Sequence, residues 1–227
     1  MVRTNIGEPL AAALSVEVSF DLICPWCLIG KRHLDTAIGL LRARHPEVPV
    51  EVTWRSHPLM PHIPKQGLPF AEFYLQRLGS AGAVASRQAQ VREAARAAGV
   101  EIAFDRIEVF PNSLDAHRLV ARVQELSGPA RAGAVIDALF DRYFVRGEDI
   151  GAASVLAELA AEWGISPRDV AESPVPPAAG GMHGVPYFQF NGTVAVEGAQ
   201  RPALLVEAML HALTPSIPQS ERPALRC

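Results

Sequence analysis

The chain has 227 residues, 49% of them apolar and 20% charged, enough to build a core in one large domain or two smaller ones. A formal net charge of −3 offers no basic excess for a phosphate backbone, which argues against nucleic acid as a partner. No apolar run reaches the roughly 18 residues of a membrane span. The apolar stretch near the N-terminus, Leu10 to Leu14, is too short for a secretory signal, so the expected compartment is the cytoplasm.

In chain order, residues 16 to 22 alternate, with Val16, Val18, Phe20 and Leu22 set against Glu17, Ser19 and Asp21, which predicts a half-buried strand. Cys24-Pro25-Trp26-Cys27 follows at once. Leu28, Ile29, Leu34, Ile38 and Leu41 then trace a helical stripe ending near His45-Pro46. Residues 50 to 55 alternate again, so strand, helix and strand read as a βαβ unit with parallel strands. Residues 58 to 69 carry Pro58, Pro61, Pro64 and Pro69 and predict an irregular boundary. From 70 to about 165 the pattern is helical throughout, with apolar faces at Val135, Ile136, Leu139, Phe140 and Tyr143 and at Val155, Leu156, Leu159 and Trp163. A second irregular joint spans 173 to 184. Two β-rich runs, Val185 to Phe190 and Thr193 to Glu197, then flank Asn191-Gly192, a strong hairpin signal. A last helix is expected over 201 to 213, with a mobile tail from Thr214.

A Cys-x-x-Cys pair at a strand-to-helix junction carries chemistry. Cys24 falls at the helix N-terminus with Pro25 at the first helical position, where its missing N–H costs nothing. Free amides and the helix dipole there favour a thiolate. Cys27 lies one turn on and deeper, placed to resolve a mixed disulfide. Trp26 between them suits a surface that meets substrate. The chain holds only three cysteines, Cys24, Cys27 and the terminal Cys227, unlike a disulfide-stapled secreted scaffold. A structural zinc needs four ligands; no second CxxC exists and His33 falls on the far side of the helix, so no metal is expected.

The run from Phe20 through CPWC to Arg32, the blocks Val52 to Arg55, Pro111 to Leu119 and Gly184 to Phe188, and Val196-Glu-Gly-Ala-Gln200 closely resemble the DsbA-like thioredoxin family, in particular its FrnE-like branch. The likeness spans about residues 15 to 210. It implies an α/β, thioredoxin-like fold with an inserted all-helical domain. The thioredoxin-like part would comprise 14–60 and 182–213, and the helical domain 61–181. The activity implied is thiol–disulfide exchange, with Cys24 as nucleophile, Cys27 as resolving thiol and Pro186 as a cis-proline facing them. Pro25, Trp26 and Val185 would meet substrate, and Asn112 and His117 would face the active site from the helical domain. The spacing of His117 from Leu114 and Val120 equally fits a partly buried helix histidine. No cofactor beyond the redox disulfide is implied, with glutathione a candidate reductant. Partners would be protein or small-molecule thiols and disulfides.

The chain departs from the family in two places. Relatives carry a further helix before the Gly-Val-Pro loop, where this chain has the Pro/Ala/Gly-rich stretch 173 to 183; the thinner cover would leave apolar surface for a partner chain, as in a homodimer. Some relatives carry a second cysteine pair, where this chain has Cys227 alone, expected to be incidental. Asp21, opposite Phe20 in the alternation, is expected to be solvated or a cap. His57 and His62 belong to the Pro-rich joint. The rival activity is that of glutathione-dependent isomerases and kappa-class glutathione transferases, in which bound glutathione supplies the sulfur. A metal clamp or chaperone using the CxxC is the non-enzymatic alternative.

Overall fold

The computed structural model describes residues 13–174 and 184–214. Strand β1 (Leu14–Phe20) buries Leu14, Val16 and Val18 and exposes Ser15, the alternation a pleated strand imposes. Helix α1 (Pro25–Arg44) buries Leu28, Leu34, Ile38 and Leu41 on one stripe and carries Arg42 and Arg44 in its last turn, where they complement the dipole. Strand β2 (Val50–Ser56) then runs parallel to β1, Val16 opposite Val52 and Val18 opposite Trp54. A parallel neighbour needs a crossover, and α1 supplies it.

The prolines after β2 leave 57–67 without regular structure. Helices α2 (Phe70–Leu78), α3 (Ala81–Ala97), α4 (Leu114–Ser127), α5 (Pro129–Phe140), α6 (Ala153–Glu162) and α7 (Pro167–Glu172) form the inserted block. The insertion is not helical throughout, as its sequence pattern suggested. Strand β3 (Leu68–Pro69) pairs antiparallel with β4 (Val109–Phe110), and a single 3₁₀ turn covers Phe104–Arg106. Gly99, at φ +75°, ends α3 in a conformation other side chains resist, and Phe110 stacks on Phe73 at 3.8 Å between centroids. Aromatic packing thus wins over helix propensity in this stretch. After α5 the chain widens into a π-helical turn over Asp141–Arg146. There the buried Arg142 is held by Glu148, Glu158 and Glu162 at 2.9, 3.2 and 2.9 Å.

Strands β5 (Tyr187–Phe190) and β6 (Val194–Glu197) form the expected hairpin, with both turn residues at positive φ, Asn191 at 48° and Gly192 at 68°. β5 pairs antiparallel with β1, which closes a four-stranded mixed sheet in the order β2-β1-β5-β6. The two ends of the chain therefore share one sheet, and helix α8 (Pro202–Leu213) packs on α1. Residues 175–183, most of the stretch expected to lack a helix, lie outside the described residues, as do Cys227 and the tail beyond Thr214.

The insertion is joined to the sheet through Trp54. Its backbone N–H donates to Gln124 Oε1 (2.9 Å) and its carbonyl accepts from Gln124 Nε2 (3.1 Å), so one glutamine side chain does for the outer edge of β2 what another strand would do. The indole N–H donates to the Pro129 carbonyl at 3.0 Å. A Cβ at Gly133 would stand 3.2 Å from the same ring, so glycine lets α5 lie close against it. This joint brings the α4 side chains down onto the end of β1, where the cysteines begin.

Candidate active site

Cys24 is the N-cap of α1, with extended backbone (φ −92°, ψ 112°), and Pro25 occupies the first helical turn. No acidic side chain sits in that turn to compete for the helix N-terminus. Both cysteines are free thiols and buried, Cys24 at 8% exposure less completely than Cys27 at 2%. The hydrogen bond from Cys27 pulls the Cys24 thiol below its ordinary value; burial and the Asp21 charge oppose it, and the Cys27 and Trp26 amides assist it. Cys27 is pushed well above its ordinary value, first by burial and then by the neighbouring Cys24 sulfur. One sulfur is thus readied as a thiolate and the other kept as a thiol, the asymmetry that two-step exchange needs.

Val185 and Pro186 face the pair from the other end of the chain. The Val185–Pro186 bond is cis, and Cys24 Sγ lies 3.8 Å from the Val185 carbonyl oxygen. Gly30 sets the closeness of this approach: a Cβ there would fall 2.7 Å from Pro186 Cγ and 3.2 Å from the Phe188 ring. Real side chains do not tolerate 2.7 Å, so glycine on this face of α1 is what lets the proline loop reach the two cysteines.

At Asp21 the solvated half of the sequence expectation is overturned, while the cap half holds in its bond to the Ile23 amide. β1 ends at Phe20, the α4 helix covers the turn that follows, and Asp21 is fully buried instead of solvated. Its Oδ1 accepts from Ser113 Oγ (3.0 Å), from His117 Nε2 (3.0 Å) and from the Ile23 N–H (3.4 Å), while Oδ2 accepts from the Leu59 N–H at 2.6 Å. Burial alone would raise this carboxyl; the His117 hydrogen bond and charge, with the Leu59 and Ile23 amides, more than offset that and hold it low. The Asp21 backbone N–H in turn points at Cys27 Sγ, 3.5 Å away. A single residue thus ties the helical insertion to the floor beneath Cys27.

His117 is correspondingly no substrate contact. It is completely buried, packs on Phe20 at 5.3 Å between ring centroids, and presents Nε2 to Asp21 while Nδ1 has no hydrogen-bond partner among the described residues. Asn112 is also engaged internally, donating to the Ile63 carbonyl (2.5 Å) and accepting from the Leu114 N–H (3.0 Å). Its side chain fixes the start of α4 and joins it to the loop after β2. Trp26 is half-buried and, with Pro25, lines a cavity of about 280 Å³ against α2 and α3.

Sequence reasoning passed over three features. The burial of Asp21 leaves no trace in the sequence because alternation reports strand faces and not what later covers a strand end. Gly30 looks like an unremarkable helix glycine without Pro186 beside it. Lys31, 5% exposed, is bound to Asp35 (3.1 Å) and Asp137 (2.6 Å) and lies 5.4 Å over the Trp54 ring, so it too ties α1 to the insertion. His33 faces away, its ring bonded to the Gln200 carbonyl at 2.9 Å. Among the described residues no helix is long and apolar enough to cross a membrane.

A four-stranded mixed sheet with a Cys-x-x-Cys helix facing a cis-proline hairpin and a helical insertion defines a thioredoxin-like fold of the DsbA kind. A family model for the DSBA-like thioredoxin domain matches residues 15–175, and the chain belongs to that family. A probable DsbA oxidoreductase from Streptomyces coelicolor is similar over 94% of this chain and 93% of its own, at 25% identity and TM-score 0.73. The cytosolic disulfide reductase DsbM from Pseudomonas aeruginosa is similar over 81% and 89% at 18% identity (TM-score 0.55). A 2-hydroxychromene-2-carboxylate isomerase is similar over 86% and 94% at 13% identity (TM-score 0.54). The last two likenesses concern the fold alone. No curated protein matches the sequence.

Proposed function

We infer that the protein is a dithiol–disulfide oxidoreductase working through Cys24 and Cys27. The observation that carries this is the paired asymmetry at the start of α1: a more accessible Cys24 whose thiol is lowered, above a buried Cys27 whose thiol is raised. In the reductive direction, Cys24 thiolate attacks one sulfur of a substrate disulfide, forming a mixed disulfide and expelling the other sulfur as a thiolate. Cys27 then loses its proton, for which the departing thiolate is the base at hand. Its sulfur attacks Cys24, and the second substrate thiol leaves. The balance is one substrate disulfide reduced to two thiols and one Cys24–Cys27 disulfide formed; oxidation of a substrate dithiol is the same sequence reversed. The Val185 carbonyl beside Cys24 offers an acceptor along which an extended substrate chain can lie.

The partners on this reading are protein or small-molecule disulfides, with a thiol such as glutathione to recycle the oxidised pair. Three cysteines in 227 residues suit a reducing compartment such as the cytoplasm. A glutathione-dependent isomerase would need the sulfur of a bound thiol and no second cysteine, whereas Cys27 here follows one turn after Cys24, its backbone N–H donating to the Cys24 carbonyl at 3.0 Å. The test is insulin-disulfide reduction by wild type, Cys24→Ser and Cys27→Ser. Cys24→Ser should be inactive, and Cys27→Ser should stall as a mixed disulfide detectable by mass. Undiminished turnover by Cys24→Ser would refute the reading.

A further inference from the structure

The cavity beside the cysteines is built for a particular kind of substrate. It holds about 280 Å³, just short of the roughly 300–1,000 Å³ of a site for a whole small molecule and suited to one large side chain. Pro25 and Trp26, the two residues between the cysteines, form one wall, and Phe70, Tyr74 and Phe104 supply the aromatic part of the rest. Closeness to the redox centre shows independently in Tyr74, whose hydroxyl is pushed up to about 12 by burial and by the Cys24 charge.

The lip is charged, with one sign only. Arg77 and Arg87 line it and no Asp or Glu does. Neither arginine has a carboxylate within ion-pair distance among the described residues; Arg87 reaches only the Gln90 side chain, at 3.1 Å. Arg142, in the same insertion, is by contrast held by three carboxylates. Two unpaired guanidinium groups over an aromatic hollow, in a chain whose net charge is −3, are a local feature that calls for an anion.

We propose that this cavity is a specificity subsite that takes a large apolar side chain flanking the substrate cysteine, with Arg77 and Arg87 engaging a carboxylate next to it, so that the preferred substrates are disulfides in acidic, aromatic-bearing peptide segments. The proposal rests on the exchange reading above and adds the substrate class. The apolar wall points to a peptide in preference to glutathione disulfide, which is anionic but carries no large apolar side chain. Affinity comes from filling the aromatic hollow; discrimination comes from the lip, where a basic flank would meet like charge.

The test uses three symmetric disulfides of the pentapeptides Glu-Phe-Cys-Phe-Glu, Lys-Phe-Cys-Phe-Lys and Glu-Ala-Cys-Ala-Glu. Each is turned over by the full chain with glutathione as reductant, and kcat/KM is compared within each variant so that losses of folding cancel. The acidic Phe peptide should exceed the basic one by about threefold to tenfold, the scale of two exposed ion pairs. That ratio should collapse in 1 M salt, where the screening length is about 3 Å. It should also collapse in Arg77→Gln/Arg87→Gln and persist in Arg77→Lys/Arg87→Lys, which keeps the charge. The advantage of the Phe over the Ala peptide should fall in Trp26→Ala. Equal rates on the acidic and basic peptides, or a ratio untouched by the Gln pair, would overturn the proposal while leaving the exchange reading standing. Inactivity of wild type on all three would overturn both.

Discussion

Replacing Asp21 by Asn tests the buried network most directly, because it keeps the shape and removes the charge. Four donors converge on the Asp21 carboxylate, three on Oδ1 and the Leu59 amide on Oδ2 at 2.6 Å. An Asn side chain has one acceptor oxygen, so either orientation sets an NH₂ group against at least one buried donor. An unsatisfied buried donor costs about 1–3 kcal/mol. The bonds that survive change from charge-assisted to neutral and lose roughly half their strength. The sum is a loss of about 3–5 kcal/mol, the range seen when one partner of a buried pair is removed. That is a large share of the roughly 5–15 kcal/mol of a typical domain, and urea unfolding at pH 7 should show it as a midpoint lowered by about 1 M or more. The pH dependence has a definite sign. Asp21 is held below its unfolded value, so its contribution is fully present above about pH 4 and fades as pH falls through the lower, folded-state value. The gap between wild type and Asp21→Asn should therefore narrow in acid. Because the Asp21 charge opposes ionisation of both cysteines, the variant should also alkylate at Cys24 with a midpoint shifted to lower pH. A stability difference within about 0.5 kcal/mol at neutral pH, the ordinary range of a surface substitution, or an upward shift of the Cys24 midpoint, would refute the reasoning.

Two further outcomes are expected. Gly30→Ala places a methyl 2.7 Å from Pro186 Cγ; over-packing of this kind costs about 1–3 kcal/mol and should slow exchange by displacing the proline loop, so unchanged kcat/KM and melting temperature would contradict the close-approach argument. With Cys227 replaced by Ser to clear the background, limited iodoacetamide treatment of the reduced protein near pH 7 should modify Cys24 and spare Cys27, as peptide mass mapping would show. Equal labelling of the two would remove the asymmetry on which the mechanism depends.

Local rules sufficed wherever the cause was local. The period-2 runs marked the parallel strands β1 and β2, Asn191-Gly192 demanded positive φ and marked the hairpin, and Pro25 after Cys24 marked the start of α1. The placement of Pro186 opposite the cysteines was also legible, though through resemblance to a family and not through spacing. The short pairing of β3 with β4 escaped because two-residue strands leave no periodic trace, and aromatic packing around Phe110 overrode a helical background.

The sequence by itself determined the candidate pair: two thiols one turn apart at a helix N-terminus differ in access and in the field of the helix. What it could not determine is whatever depends on two distant segments meeting. Asp21 reads as a solvated residue until α4, with Ser113 and His117, closes over it and turns it into a buried anchor. Gly30 is an unexceptional helix residue until Pro186, more than a hundred and fifty residues later, comes within reach of where its side chain would be. The cavity beneath the two arginines exists only because α2 and α3 stand against Trp26. Burial, charge compensation and close approach are properties of pairs of segments, and the chain acquires them only when its two ends close into one sheet around the inserted helices.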